Sequence, residues 1–182
     1  MSDEVEIEDS EIIEPNNQLV LISGFSGTGK SASLKDIRNQ EDWIYCGAEA
    51  GKRLPFRSKF REIRVTDPYQ IHDAFDYATN EDDSVQGIII DSITFTMDMF
   101  ESLYVLGAAD GRAAWGSYQQ FFKHLLQQKV PKFGKPVIIT AHVLDIYDEK
   151  ALETRTSVPI KGALKGNGVE ALEISALVAK AA

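Results

Sequence analysis

The stretch that decides the fold is Gly24-Phe25-Ser26-Gly27-Thr28-Gly29-Lys30-Ser31, in which two glycines are separated by four residues and followed by Lys and Ser. This spacing is the phosphate-binding loop (P-loop) pattern, in which successive backbone N–H groups point at phosphates. Lys30 would bridge the terminal phosphates of a nucleotide, and the Ser31 hydroxyl would complete the coordination of Mg²⁺. The residues that we expect to bind the nucleotide are Gly24, Phe25, Ser26, Gly27, Thr28, Gly29, Lys30, Ser31 and Ala32.

A bound metal also needs an acidic group at the end of a neighbouring strand. Ile88-Ile89-Ile90-Asp91 is an apolar run that ends in such a group. Because strand ends meet at one edge of a parallel sheet, the Asp91 carboxylate would lie beside the loop. We therefore predict that Ser31 and Asp91 hold Mg²⁺ together.

Working outward from the loop, apolar runs typical of strands alternate with stretches of helical periodicity. Several of the runs are continuous rather than alternating, which favours strands buried on both faces of a sheet. The predicted strands are 18–23, 43–48, 62–66, 87–91 and 136–141, and the predicted helices are 30–39, 69–79, 94–106 and 115–128. We expect an α/β fold, mostly parallel, with helices on both faces. Residues 106–115 and 143–168 are predicted to be long functional loops.

Composition is typical of a globular protein, with 182 residues, 43% hydrophobic and 26% charged. No apolar run approaches the roughly 20 residues that span a bilayer, and an acidic start does not suit an export signal, so we expect a cytoplasmic protein. Cys46 is the only cysteine and the three histidines are scattered, which predicts neither an internal disulfide nor a zinc site. The length favours one main domain.

The formal net charge of -9 is concentrated at the amino end, where seven acidic residues and no basic ones occupy the first fifteen positions. We predict an acidic flexible segment over 1–16 and a core over 17–182. The alternating Val5 and Ile7 leave open a second interpretation, in which this segment pairs with the sheet edge of a neighbouring subunit.

Two basic clusters follow, and each is either a phosphate-contact surface or an ordinary solvated face. The first cluster comprises Lys52, Arg53, Arg57, Lys59, Arg61 and Arg64, and the second comprises Lys150, Arg155, Lys161 and Lys165.

The residue after Asp91 is Ser92, where many ATPases place the glutamate that orients the attacking water. A general base must then come from another strand end. Glu49 follows the second apolar run and is the predicted base, with a surface glutamate that caps a strand as the alternative.

Together these residues resemble the RecA-like recombinase ATPases, in which a strand ending in Ala-Glu supplies the base and a second acidic strand ends in Asp-Ser. Ala48-Glu49-Ala50 and Asp91-Ser92 are similar to those elements, and His142 stands where the recombinases have a γ-phosphate-sensing Gln. More narrowly, the chain resembles compact phage ATPases that anneal or recombine single strands. This narrower resemblance covers 18–178 and adds Trp115-Gly116-Ser117-Tyr118, Thr140-Ala141-His142 and the stretch 159–168.

The resemblance implies a RecA-like core that hydrolyses ATP with Mg²⁺, using Glu49, Lys30 and His142, and that couples hydrolysis to single-stranded DNA. It also implies a ring or filament of identical subunits with the active site near a subunit interface. A single-strand binding protein or another replication or recombination protein would be a partner, in the host cytoplasm if the chain is phage-encoded. The expected DNA contacts are Arg112, Trp115, Arg155, Lys161 and Lys165.

Several alternatives stay open. Tyr118 and, less so, Trp115 fit a core-facing helical stripe with Phe122 and Leu125, and His142 fits a core histidine. A cation that stabilises the transition state in trans is expected from Arg155, Lys161 or Lys165. The competing functions are a helicase or translocase motor, a nucleotide-gated DNA-binding scaffold with little turnover, and, less favoured, a nucleotide kinase.

Overall fold

The computed structural model describes residues 18–148 and 152–159. Its centre is a sheet of five parallel strands in the order β1-β5-β4-β2-β3. The strands are β1 (Leu19–Gly24), β2 (Trp43–Gly47), β3 (Arg61–Arg64), β4 (Gly87–Asp91) and β5 (Val137–His142). All five predicted strands are confirmed, with small shifts at their ends. The predicted α/β class with a mostly parallel sheet is therefore correct.

Strand order decides which residues meet at the carboxyl edge of the sheet. β5 lies between β1 and β4, and all five residues of β4 are buried. The register pairs Gly24 with His142, at the ends of β1 and β5, and Gly47 with Asp91, at the ends of β2 and β4. The ends of these four strands, and the loops that follow them, therefore converge on one edge.

Four helices cover a single face of the sheet. They are α1 (Tyr69–Asn80), α2 (Ile93–Phe100, continued by a π-helix over Glu101–Val105), α3 (Gly111–His124, continued by a π-helix over Leu125–Lys129) and α4 (Val130–Phe133). Their apolar side chains form one core with alternate residues of β2, β4 and β5. Among the described residues, the α-helices therefore lie on one face only. A smaller cluster around Leu34, Tyr45, Phe60 and Ile89 covers the other face.

The predicted helix over 30–39 is also wrong. A short 3-10 helix spans Ala32–Asp36, and a second 3-10 turn spans Gln40–Asp42. The segment buries one apolar side chain, Leu34, and the Ser33 hydroxyl donates to the Lys30 carbonyl at 2.6 Å. A single buried contact gives little reason to extend a helix, and serine side chains compete for its backbone groups.

The predicted loop over 106–115 is shorter than expected because α3 starts at Gly111. Asp110 caps this helix, since its side chain accepts the N–H groups of Arg112 and Ala113 at 2.9 and 3.0 Å. Arg112 and Trp115 therefore lie on a helix rather than in a loop. Tyr118, Phe122 and Leu125 are buried, so the core-facing stripe is confirmed for them.

The predicted loop over 143–168 contains an antiparallel hairpin of β6 (Leu144–Asp148) and β7 (Glu153–Ser157). Lys150, Lys161 and Lys165 lie outside the described residues, as does the acidic segment 1–16. Among the described helices, none is long and apolar enough to cross a membrane.

Candidate functional site

The P-loop joins β1 to the short 3-10 helix at the carboxyl edge of the sheet. Gly27 and Gly29 have φ of 78° and 89°, a conformation that side-chain-bearing residues rarely adopt. Inside the loop, the Thr28 hydroxyl donates to the Phe25 carbonyl at 2.8 Å. The amide of Ser33 donates to the Gly29 carbonyl at 2.9 Å. These contacts fix the curl of backbone that the sequence pattern predicts.

Lys30 is folded back across this loop. Its ammonium donates to the carbonyls of Gly24 and Phe25 at 2.9 and 2.8 Å, and only 4% of the residue is exposed. Burial, and after it the nearby Lys52 ammonium, lowers the pKa of Lys30 below the ordinary lysine value. Phosphate oxygens could replace both carbonyls as acceptors, so the side chain is already at the mouth of the loop.

Asp91, at the end of β4, is the most constrained polar residue of the site. Its Oδ2 accepts hydrogen bonds from Ser31 at 2.7 Å and from Tyr45 at 2.8 Å, and its Oδ1 accepts one from Thr140 at 2.6 Å. Burial alone would raise the pKa of Asp91, but the three hydroxyl donors stabilise the carboxylate and lower it. The carboxylate is therefore ionised and fixed at neutral pH.

Two of these donors, Tyr45 and Thr140, were missed by sequence reasoning. Both sit in the middle or near the end of apolar strands, and Thr140 is fully buried. A polar residue inside a continuous apolar run was the available signal for Thr140, because such a group needs a partner when buried. Tyr45 gave no comparable signal, since tyrosine is common in strands. Burial, then Asp91, raises the Tyr45 pKa, so its phenol stays a donor.

Glu49 lies two residues beyond β2, beside the Asp91 strand. The amide of Ala48 donates to the Asp91 carbonyl at 2.8 Å, which ties the two strand ends together. Glu49 Oε2 lies 2.6 Å from the ammonium of Lys52, and the two side chains are 28% and 31% exposed. The predicted base is thus at the site, in an ion pair between two partly exposed side chains, although Glu49 Oε2 itself is buried and accepts no hydrogen bond among the described residues.

His142 ends β5 between the P-loop strand and the Asp91 strand. Its amide donates to the Thr94 hydroxyl at 2.9 Å, and its ring packs edge-on against Phe95. Its Nε2 is buried and has no hydrogen-bond partner among the described residues. Burial and then the Lys30 ammonium lower the pKa of His142, so the ring is neutral at pH 7. A buried ring nitrogen without a hydrogen-bond partner is compatible with a side chain that hydrogen-bonds to a bound ligand.

The structure does not join the predicted DNA contacts to this site. Arg112 is exposed on the first turn of α3, while Trp115 packs against the helical core with its ring 5.2 Å from Tyr118. In the described part of the chain, neither side chain hydrogen-bonds to the P-loop or to Asp91. The backbone of Arg155 pairs with Ile146 in the hairpin.

The residues present fit a nucleotide with its magnesium ion. Mg²⁺ is usually held by one or two protein groups together with phosphate oxygens and water. By donating its proton to Asp91, Ser31 keeps lone pairs on Oγ for a cation. Within 18–148 and 152–159, no three histidine, cysteine or acidic residues converge, so there is no protein-only metal cage.

The site and fold together define a mixed α/β protein with a glycine-rich loop of the P-loop pattern at the carboxyl edge of a parallel sheet. Comparison with protein-family models and with curated proteins found no match for this chain.

Proposed function

We propose that this protein is a Mg²⁺-dependent ATPase of the RecA-like type that couples ATP binding and hydrolysis to single-stranded DNA binding, annealing or recombination. The observation that carries the proposal is the buried hydrogen bond of 2.7 Å between Ser31 and Asp91. This bond places Ser31, the last residue of the P-loop pattern, against Asp91 at the end of β4. A glycine-rich turn that binds no ligand would not need this contact.

Each residue then has a distinct role. Lys30 leaves the Gly24 and Phe25 carbonyls and contacts the terminal phosphates. Ser31 and Asp91 hold Mg²⁺, which neutralises charge on the phosphate oxygens. Glu49 accepts a proton from the attacking water. It lies two residues past β2, and its carboxylate can reach this water once the ion pair with Lys52 is broken.

The RecA-like assignment is supported by the convergence of strand ends that the resemblance requires. The Ala-Glu, Asp-Ser and sensor elements all follow strands that end beside the P-loop. His142 would transmit the nucleotide state, because the next residue, Val143, donates to the Gly24 carbonyl at 3.2 Å and the β6–β7 hairpin begins at Leu144. A change in position at the phosphates would be transmitted to the hairpin through His142 and Val143.

The DNA-binding part of the proposal rests on the resemblance and on the basic residues. Arg112, Trp115 and Arg155 would contact DNA together with Lys161 and Lys165. The oligomer, the trans-acting cation and the replication or recombination partner belong to the same proposal. A site open to solvent beside Glu49 is compatible with completion by a neighbouring subunit.

One observation favours a second candidate, the nucleotide-gated scaffold with little turnover. Lys30 is bonded to loop carbonyls and Glu49 is paired with Lys52, so both groups needed for hydrolysis are engaged elsewhere. Such a protein would bind ATP tightly and release almost no phosphate.

The test is phosphate release from ATP and Mg²⁺, with and without single-stranded DNA, for the wild type, Lys30→Ala and Glu49→Gln. Lys132→Met removes an exposed charge from α4, at the opposite edge of the sheet, and is the matched control. We expect DNA-stimulated release that both site substitutions abolish and the control retains. Release indifferent to DNA would contradict the recombinase type, and ATP binding without release would favour the scaffold.

A further inference from the structure

A cleft of about 470 Å³ opens beside the proposed base, between the carboxyl ends of β2 and β3 and the segment that follows β2. Its lining includes Glu49, Lys52, Arg53, Phe56 and Arg64. The volume is in the range of small-ligand sites, which is enough for one nucleotide unit and too little for a folded partner.

The arginine side chains of this region are of two kinds: one is held by an ion pair and hydrogen bonds within the fold, and the others form no ion pair within the described residues. Arg61 is held by Asp82 at 2.7 Å and by the Glu41 carbonyl at 2.7 Å, so it ties β3 to the chain around it. Arg53 and Arg64 are exposed and form no ion pair within the described residues. Opposing them, Glu62 also lines the cleft and accepts the Ser58 hydroxyl at 2.7 Å. With Lys52 paired to Glu49, two arginines and the Glu62 carboxylate are the charged groups of the cleft lining that form no ion pair within the described residues.

We propose that this cleft binds a phosphodiester of a single-stranded nucleic acid and that the bound phosphate draws Lys52 away from Glu49. The inference rests on the proposed function, and it names the regulator of that function. The ion pair joins two partly exposed side chains and Glu49 Oε2 accepts no hydrogen bond among the described residues, so a phosphate beside Arg53 and Arg64 can compete with Glu49 for the Lys52 ammonium. Release of Glu49 then makes the base available, which links strand binding to hydrolysis within one subunit.

Two features of the cleft favour a nucleotide unit over a simple anion. Phe56 is partly buried and packs edge-on against Phe60, which leaves an aromatic side chain in the lining beside the cations. Aromatic rings that stack on bases next to cations that hold phosphates are the usual elements of single-strand binding without sequence preference. Tyr45 also lines the cleft and donates to Asp91, so the cleft floor is continuous with the metal-binding carboxylate.

The first experiment measures ATP turnover with and without oligothymidylate for the wild type, Lys52→Met, Lys52→Arg and the control Lys132→Met. We expect Lys52→Met to raise turnover without oligonucleotide several-fold and to abolish stimulation. Lys52→Arg, which preserves the ion pair, should restore both the low basal rate and the stimulation. Equal loss of turnover with and without oligonucleotide in Lys52→Met would overturn the proposal, because Lys52 would then serve hydrolysis itself.

The second experiment measures binding of a labelled oligothymidylate as a function of salt, without following hydrolysis. Each phosphate contact on a single strand contributes about 0.7 to the slope of log affinity against log salt, so the double variant Arg53→Ala/Arg64→Ala should lose about 1.4 of slope. Phe56→Ala should weaken binding without changing the slope. An unchanged slope in the arginine variant would overturn the proposal. So would a weakened equilibrium affinity for ATP with unchanged oligonucleotide affinity, because the cleft would then bind the nucleoside of ATP.

These outcomes separate this inference from the proposed function. A wild type that hydrolyses no ATP, or whose turnover ignores oligothymidylate, contradicts the proposed function. A wild type that is stimulated, with cleft variants stimulated equally, contradicts only the role of the cleft.

Discussion

The carboxylates at the ends of β4 and β2 lie on neighbouring strands, yet the protein holds them in opposite ways. Asp91 is 1% exposed and accepts hydrogen bonds from Ser31, Tyr45 and Thr140. The Glu49 side chain is 28% exposed and has an ion pair with Lys52. β4 is flanked on both sides, so its end receives donors from three elements, whereas Glu49 lies beyond the ladder of β2. The Asp91 carboxylate is thus held by three hydrogen bonds, and the Glu49 carboxylate by one ion pair.

Replacing each carboxylate by alanine tests this contrast most directly. Asp91→Ala leaves three buried hydroxyls without their acceptor, and each such loss costs about 1–3 kcal/mol, so we expect the free energy of unfolding to fall by at least about 3 kcal/mol. Glu49→Ala removes a single ion pair between partly exposed side chains and should cost about 1 kcal/mol. Urea denaturation of both variants measures the difference. Equal losses would show that Glu49 is as structural as Asp91.

Turnover should depend strongly on Glu49 although stability does not. Glu49→Gln keeps the size of the side chain but removes the base, so we expect kcat to fall about 10²- to 10³-fold. The free energy of unfolding and the affinity for ATP should stay near the wild-type values, because the Glu49 side chain forms no hydrogen bond to the core or to the P-loop among the described residues. Single-turnover phosphate release with a parallel nucleotide-binding titration separates these effects. Unchanged kcat would exclude Glu49 as the base.

A graded series at Asp91 tests whether its three donors act together. Thr140→Val is close in shape and removes one hydrogen bond to a buried carboxylate, which should lower the free energy of unfolding by about 1.5–3 kcal/mol. Tyr45→Phe keeps the stack on Phe60 and removes another donor, with a loss in the same range. Urea midpoints of the single and double variants give the coupling between the two bonds. Exact additivity would argue against a cooperative network around Asp91.

The sequence predicted the strands of the sheet better than the helices that pack around it. The five strands were recognisable because continuous apolar runs such as 87–91 leave no other way to bury both faces. The helix expected after the P-loop was wrong, because helical spacing alone does not show that a segment finds only one buried contact, at Leu34. Asp110, a residue type that often caps helices, indicated the start of α3. The prediction instead followed the aromatic stripe, whose periodicity begins only at Trp115.

Within the site, motif residues were predictable and their partners were not. Ser31 and Asp91 follow from spacing and from the ends of apolar runs, and they meet as predicted. The pairing of Glu49 with Lys52 depends on the turn after β2, which no pattern specifies. Tyr45 reaches Asp91 only because β2 and β4 are adjacent, which depends on the strand order of the whole sheet.

Acid titration of stability gives the smallest and most specific test of the contrast. The pKa of Asp91 is lowered in the folded state by its hydroxyl donors against the effect of burial, so as pH falls below about 4 the unfolded state takes up the proton first. The stabilisation is therefore complete above that pH and is lost below it, with a slope of at most about 1.4 kcal/mol per pH unit for one proton. His72, whose pKa burial lowers to about 4, contributes its own slope between pH 6.5 and 4 in every variant.

We expect Asp91→Asn to flatten the curve of unfolding free energy against pH below pH 4. The comparison is Asp73→Asn, which removes an exposed carboxylate from α1. Equal slopes in the two variants, measured by urea denaturation across this pH range, would mean that the hydroxyls around Asp91 do not favour its ionised form.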